Sequence, residues 1–121
     1  MPLQATTHDD TLIVTTDMRR IDAGLAIEFK DNMRAACEGG PARVVLDLTS
    51  VDFLDSSGLG AVVAAMKLLA PEQKLELAGL SPTVEKVFRL TRMDSVFTIH
   101  ENADAAIDPD NKIATKIAHA S

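Results

Sequence analysis

Apolar positions along the chain switch between two periods, and this switching predicts alternating strands and helices. Five runs have the β-branched or alternating composition of strands: Leu3–Thr7, Leu12–Thr16, Val44–Leu48, Leu75–Leu77 and Val96–Ile99. The third of these runs is almost continuously apolar, which is typical of a parallel strand buried on both faces. In the fourth run Glu76 is expected to point away from the core, because neighbouring strand residues face opposite sides of a sheet.

Two longer segments between these runs have the spacing of amphipathic helices. Asp22 is the predicted N-cap of the first helix, which ends at Gly39-Gly40-Pro41. The second helix is predicted from Ser57 to Leu69, before Pro71. Its sheet-facing stripe consists of apolar residues at helical spacing, namely Leu59, Val62, Val63, Met66 and Leu69.

Two further helices are predicted from their N-terminal signals. Ser81-Pro82 combines a capping serine with proline at the first helical position. The buried face of that helix is expected to consist of Val84, Val87, Phe88 and Thr91. Asn102 is expected to cap a short last helix that ends at Ile107.

The alternation of strands and helices predicts an α/β layer fold. Right-handed crossovers make successive strands parallel, so we expect a mixed, mostly parallel sheet of about four to five strands with about four helices packed on it. The domain is expected to span residues 1–107. Residues 108–121 break the pattern with Asp-Pro-Asp-Asn and are predicted to form a tail that is mobile or contains a short helix.

Composition and charge narrow the classes of function. The chain has 12 Lys and Arg against 18 Asp and Glu, and its net charge of −6 argues against nucleic-acid binding. With four Phe and neither Trp nor Tyr, platforms for stacking bases are nearly absent. The longest apolar stretch, Leu59–Met66, is too short to span a bilayer, and the N-terminus lacks the features of a signal peptide. We therefore expect a cytoplasmic protein without a membrane segment.

Asp55-Ser56-Ser57-Gly58 is the candidate functional segment. It opens the second helix, where unpaired backbone N–H groups and the helix dipole favour an anion such as phosphate. A cap needs only one side chain, so three capping residues in succession leave a hydroxyl free to face solvent. Two interpretations remain at this point, capping alone or a site for a phosphate.

Other chemistry-bearing residues give weaker signals. Asp47, Asp52 and Asp55 lie near the end of the central strand and could together hold a divalent cation, although turn chemistry accounts for the last two equally well. The chain has one cysteine, Cys37, which excludes an internal disulfide and fits a reducing cytosol. Cys37 is expected to be a small buried hydrophobic residue. Solvated positions are predicted for the three scattered histidines, His8, His100 and His119. No nucleophile, base and oxyanion hole assemble, so no catalytic residue, metal site or cofactor is expected and the chain is not predicted to be an enzyme.

Two stretches make the sequence resemble a known family. Val45-Leu46-Asp47-Leu48 followed by Val51-Asp52-Phe53-Leu54-Asp55-Ser56-Ser57-Gly58-Leu59-Gly60 resembles the signature of STAS-domain anti-sigma factor antagonists. Leu77-Ala78-Gly79-Leu80-Ser81-Pro82 is also similar, and Ile21-Asp22 matches the end of the family's second strand. The resemblance covers residues 3–107 and implies the STAS-like α/β fold.

The resemblance also implies a function and its partners. The family binds an anti-sigma factor serine kinase, which phosphorylates a serine in this turn; a metal-dependent phosphatase removes the phosphate, and only the unphosphorylated form sequesters the kinase. The modified residue corresponds to Ser56, which leaves Ser57 to cap the helix. Partner-binding positions implied by the match are Asp22, Asp55, Ser56, Ser57, Gly58 and Leu59. The ATP and Mg²⁺ for this phosphorylation are bound by the kinase, so the chain itself needs no cofactor. A weak homodimer of the chain is a further alternative.

Two departures from the family pattern concern arginines. Arg19 and Arg20 precede Asp22 where the family usually has a glycine, and Arg92 replaces a second common glycine after the third helix. Either these arginines are solvated surface residues, or Arg19 or Arg20 lies beside the phosphorylated serine. Two other functions also remain: a STAS adaptor for secretion, chemosensory signalling or lipid transport, and, more remotely, a small hydrolase that uses Ser56 or Ser57.

Overall fold

The computed structural model describes residues 3–108. The strands are β1 (Leu3–His8), β2 (Thr11–Thr16), β3 (Arg20–Ile21), β4 (Arg43–Asp47), β5 (Phe53–Leu54), β6 (Lys74–Ala78) and β7 (Ile99–His100). The helices are α1 (Ala26–Cys37), α2 (Ser56–Leu69), α3 (Pro82–Leu90) and α4 (Ala103–Ile107), with a 3₁₀ turn at Met93–Ser95. The predicted tail from residue 109 onward lies outside the described residues.

Five strands form one sheet in the order β1-β2-β4-β6-β7. β1 is antiparallel to β2, and the other neighbours are parallel. β3 and β5 form a separate two-stranded parallel ladder. The prediction of a mixed, mostly parallel sheet with helices packed on it is therefore confirmed.

The central strand β4 is buried on both faces, as its apolar run predicts. Val44 and Leu46 join the large core under α1, α2 and α3, whereas Val45 faces the opposite side of the sheet with Ile13, Ala78 and Ala106 of α4. This alternation explains why a strand with helices on both sides has no polar position in its interior.

Helix α2 packs through smaller residues than its apolar stripe predicts. The buried positions are Gly58, Ala61, Val62, Ala65 and Leu69. Leu59, Val63 and Met66 are only partly buried and flank this stripe. The small side chains let α2 lie close to α1, its main helical neighbour. Val62 and Leu69 are thus buried as predicted, whereas the rest of the buried stripe consists of small residues instead of Leu59, Val63 and Met66.

Three predicted local features are wrong. Helix α1 begins after Leu25, and Asp22 instead closes a tight turn in which its carboxylate accepts from Gly24 N at 3.0 Å. The last strand is Ile99–His100 rather than Val96–Ile99, because Phe97 turns inward and packs edge-on against Phe88, with ring centroids 5.9 Å apart. Thr91 is exposed at the end of α3, where its hydroxyl donates to Val87 O at 2.7 Å.

The face of the sheet covered by α4 buries a charged cluster. Glu76 points away from the large core, as predicted, but it is buried on this opposite face. The carboxylate is nearly buried and accepts two hydrogen bonds from Arg43, at 2.8 and 3.0 Å. Arg43 also donates to Ala106 O at 2.7 Å and thereby holds α4 on the sheet. Burial alone would raise the pKa of Glu76, but the bonds from His100 and Arg43 outweigh it and lower the pKa to about 2.

Of the three histidines, His100 is not solvated. It is 4% exposed, and its Nε2 lies 2.7 Å from Glu76 Oε1. His8 is exposed as predicted, and His119 lies outside the described residues. Cys37 is fully buried, as predicted, and burial raises the pKa of its thiol to about 11.

Candidate functional site

The start of α2 is held by the small ladder of β3 and β5. Leu54 of β5 pairs with Ile21 of β3, and Asp55 N donates to Ile21 O at 3.4 Å. Because the two strands are parallel, the residues that follow them, Asp22 and Asp55, emerge at the same end of the ladder. The fold thus brings together two segments that are separated by more than thirty positions in the sequence.

Asp55, rather than Ser57, caps α2. Its carboxylate accepts from Gly58 N at 2.8 Å, and its backbone is extended, as expected of an N-cap. The prediction that Ser57 takes this role is therefore wrong. Ser56 and Ser57 are both exposed, and their hydroxyls have no hydrogen-bond partner within residues 3–108. Two hydroxyls are thus available at the positive end of a fourteen-residue helix.

Gly58 allows the close contact between α2 and β3. A Cβ at this position would lie 2.0 Å from Ile21 O and 2.8 Å from Ile21 C. Any side chain would therefore push the helix away from the ladder. Gly58 is buried and Leu59 partly buried, so these two predicted partner-binding residues position the turn more than they offer surface.

Two exposed arginines lie along the same ladder. Arg19 Nε donates to Asp52 Oδ2 at 2.8 Å, and Asp52 N donates back to Arg19 O at 2.7 Å. Arg20 pairs with Asp22 at 3.0 Å, and its guanidinium lies 5.0 Å from the centroid of the Phe53 ring. The segment before Asp22 therefore does approach the serine turn, but both arginines are already paired with carboxylates.

Phe53 is the residue of this surface that sequence reasoning missed. It is 42% exposed, although a phenylalanine in a strand is normally buried. Its position beside Arg20 gives the surface an apolar ring and a cation within one ladder. Strands of two residues are too short to show a hydrophobic period in the sequence. The contact between Phe53 and Arg20 is therefore visible only in the tertiary structure.

The carboxylates that could have held a cation are separately engaged. Asp47 accepts from Thr49 N at 3.0 Å in a polar cleft of about 320 Å³, Asp52 pairs with Arg19, and Asp55 caps α2. Among the described residues no group of three or more acidic, histidine or cysteine side chains could bind a metal ion. Nor does any helix there have the length and apolar character needed to cross a membrane.

Comparisons with known proteins agree with this fold. The STAS domain family matches residues 2–106, and the chain belongs to this family. The candidate anti-sigma factor antagonist BtrV of Bordetella bronchiseptica is 30% identical over 98 residues, covering 80% of this chain and 84% of that protein. The anti-sigma-B factor antagonist of Listeria monocytogenes is 36% identical over 94 residues, covering 75% and 80%.

A solved structure has the same architecture. The anti-sigma factor antagonist from Mycobacterium paratuberculosis superimposes with a TM-score of 0.75 at 24% identity, covering 94% of this chain and 92% of that one. At this identity the likeness concerns the fold, and it supports the strand order and helix placement described above.

Proposed function

We propose that this protein is an anti-sigma factor antagonist that binds an anti-sigma factor serine kinase and is released from it by phosphorylation of Ser56. The observation that carries the proposal is that different residues cap α2 and expose a hydroxyl at its start. Asp55 does the capping, so the neighbouring Ser56 hydroxyl is exposed and is not needed to hold the helix. Relatives named as anti-sigma factor antagonists, matched over at least 80% of their own length, support the same function.

Phosphorylation at this position would change the charge of the surface without changing the fold. The kinase would transfer the γ-phosphoryl group of ATP to the Ser56 oxygen, the hydroxyl proton would leave, and ADP would be released. The product carries about 1.5 to 2 additional negative charges, which the helix dipole stabilises locally. Against a packed partner, however, the phosphate must be desolvated beside the neighbouring Asp55 carboxylate, and this opposes binding.

A metal-dependent serine phosphatase would reverse the step by transferring the phosphoryl group to water. In this scheme the chain is a substrate and a binding partner rather than an enzyme, and it carries no cofactor of its own. The choice of Ser56 over its neighbour Ser57 rests on the order of residues in the family motif, because both hydroxyls are exposed.

The test is to recover the tagged chain from its own host, identify the kinase that co-purifies, and incubate the two with ATP. We expect one phosphate on Ser56, lost in Ser56→Ala and retained in the matched control Ser57→Ala. Ser56→Asp should weaken kinase binding by about a hundredfold, equivalent to about 2.7 kcal/mol. Phosphate on Ser57 alone would overturn the assignment.

The same preparation separates the two other functions. Co-purification with components of a secretion, chemosensory or lipid-transport system, in place of a sigma regulator, would identify the chain as an adaptor. Covalent labelling of Ser56 or Ser57 by a fluorophosphonate probe would identify a hydrolase instead.

A further inference from the structure

The two edges of the five-stranded sheet differ in length and protection. β7 has only two residues and is followed closely by α4, which also packs against it. β1 has six residues and pairs with β2 along its whole length. Helix α1 also contacts β1, but the residues from Gln4 to His8 are exposed. Short or covered edges resist pairing with another chain, whereas long exposed ones invite it.

The hairpin geometry shows which backbone groups of β1 are unpaired. His8 and Thr11 flank the two-residue turn Asp9-Asp10, so they form the hydrogen-bonded pair that closes the hairpin. Hydrogen-bonded and non-hydrogen-bonded pairs alternate along an antiparallel ladder. The N–H and C=O groups of Leu3, Ala5 and Thr7 therefore point away from β2, and within residues 3–108 no group bonds to them.

The side chains of β1 do not protect this edge. The chain as a whole is 25% charged, yet Leu3–His8 contains no Asp, Glu, Lys or Arg. It contains no proline either, and its register with β2 runs without a bulge. Charges, prolines and bulges are the devices by which edge strands usually prevent pairing, and all three are absent from β1.

We propose that β1 is a self-association edge, at which two copies of this chain pair their β1 strands antiparallel about a two-fold axis and so join their sheets. With Ala5 on the two-fold axis, the outward N–H and C=O groups of Leu3, Ala5 and Thr7 all form hydrogen bonds with the second copy. Leu3 then lies opposite Thr7 of the partner subunit, and Gln4 lies opposite Thr6 of the partner subunit.

The uncharged composition of β1 makes this edge the place where a second copy can bind. Two chains that each carry a net charge of −6 repel one another over most of their surfaces. At β1 they can approach without placing like charges opposite each other, and the Gln and Thr side chains can hydrogen-bond across the pair.

The size of the contact sets its strength. An overlap of five residues on one strand buries much less than the roughly 1,200 Å² at the lower end of stable interfaces. The dimer is therefore weak and forms at high protein concentration. The start of α2 is held by β3 and β5 rather than by β1, so self-association does not use the residues that hold the serine turn.

The first test is sedimentation velocity of the full chain over a range of concentrations. We expect a reversible monomer–dimer equilibrium that Ala5→Lys weakens at least about tenfold, because two ammonium groups then face each other on the axis. Ala35→Lys introduces the same charge at an exposed position of α1 and should leave the equilibrium unchanged. Circular dichroism of both variants checks that they are folded.

Cross-linking provides a second readout that does not depend on the lysine variant. Facing residues of a hydrogen-bonded pair have Cα atoms about 5.5 Å apart, within the range of a disulfide. Ala5→Cys should therefore form disulfide-linked dimers under mild oxidation, whereas Ala35→Cys should not. A monomer at all concentrations, no cross-link above that control, or a dimer that Ala5→Lys leaves intact would each overturn the proposal.

Discussion

Arginine–carboxylate pairs occur in two contrasting regions of this protein. In the cluster beneath α4, the Arg43 and Glu76 side chains are 17% and 8% exposed. Beside the serine turn, those of Arg19 and Asp52 are 76% and 57% exposed. The chemistry of the two pairs is the same, but water screens and competes for only one of them. Burial therefore makes the first pair part of the fold, while exposure leaves the second in contact with solvent.

The largest difference between the two regions is expected when the arginine of each pair is replaced. Arg43→Met leaves Glu76 without its main cation and α4 without a hydrogen bond, so we expect the free energy of unfolding to fall by about 3–5 kcal/mol. Urea denaturation measures this loss. Arg19→Met is the matched control and should cost less than about 1 kcal/mol.

A second variant checks the cause of that loss. Adding Glu76→Gln to Arg43→Met should restore part of the stability, because it removes the unpaired buried charge. Equal losses for Arg43→Met and Arg19→Met would show that burial does not distinguish the two regions.

Acid should affect the buried region through Glu76. Its pKa in the folded protein, about 2, lies below the ordinary value of 4.5. The charged carboxylate therefore stabilises the fold above about pH 4.5, and this stabilisation is lost as the pH falls toward 2. We expect the loss to be on the order of 2 kcal/mol between about pH 6 and about pH 3.

Urea denaturation of the wild type and Glu76→Gln at both pH values isolates this contribution from that of other carboxylates. The variant should be less stable than the wild type at the higher pH and closer to it at the lower. A difference that does not change with pH would mean that Glu76 does not titrate in this window.

Arg92 provides the smallest expected effect and a third environment for arginine. It is exposed after α3 with φ 62°, in the left-handed region, where the family usually has glycine. A side chain is strained there, so Arg92→Gly should raise the free energy of unfolding by up to about 1 kcal/mol. Arg89→Gly, within α3, should lower it by about 1 kcal/mol. A destabilised Arg92→Gly would mean that the arginine makes a contact worth more than its backbone strain.

Much of the fold could be predicted from local patterns. Ser81 caps α3 by accepting from Val84 N at 3.3 Å, and Asn102 caps α4 by accepting from Ala105 N at 2.7 Å, both as expected. These features depend on residues within one helical turn. The Asp-Ser-Ser-Gly segment was likewise located correctly at the start of a helix, because capping chemistry is local.

Features that depend on distant neighbours could not be predicted in the same way. Glu76 alternates with leucines as an exposed strand residue would. It is a buried ion-pair partner only because Arg43, His100 and α4 lie on the same face of the sheet. Similarly, the close contact between Gly58 and Ile21 joins segments that are more than thirty positions apart in the sequence.

Local sequence patterns were enough to predict the five strands of the main sheet, the four helices in their order, the caps of α3 and α4, and the family motif at Ser56, since each depends on residues that are close along the chain. The tertiary structure decided which polar side chains are buried, which arginines pair and which sheet edge is exposed. The physical reason is that burial and the environment of a charge depend on contacts between segments far apart in the sequence, and local periodicity carries no information about them.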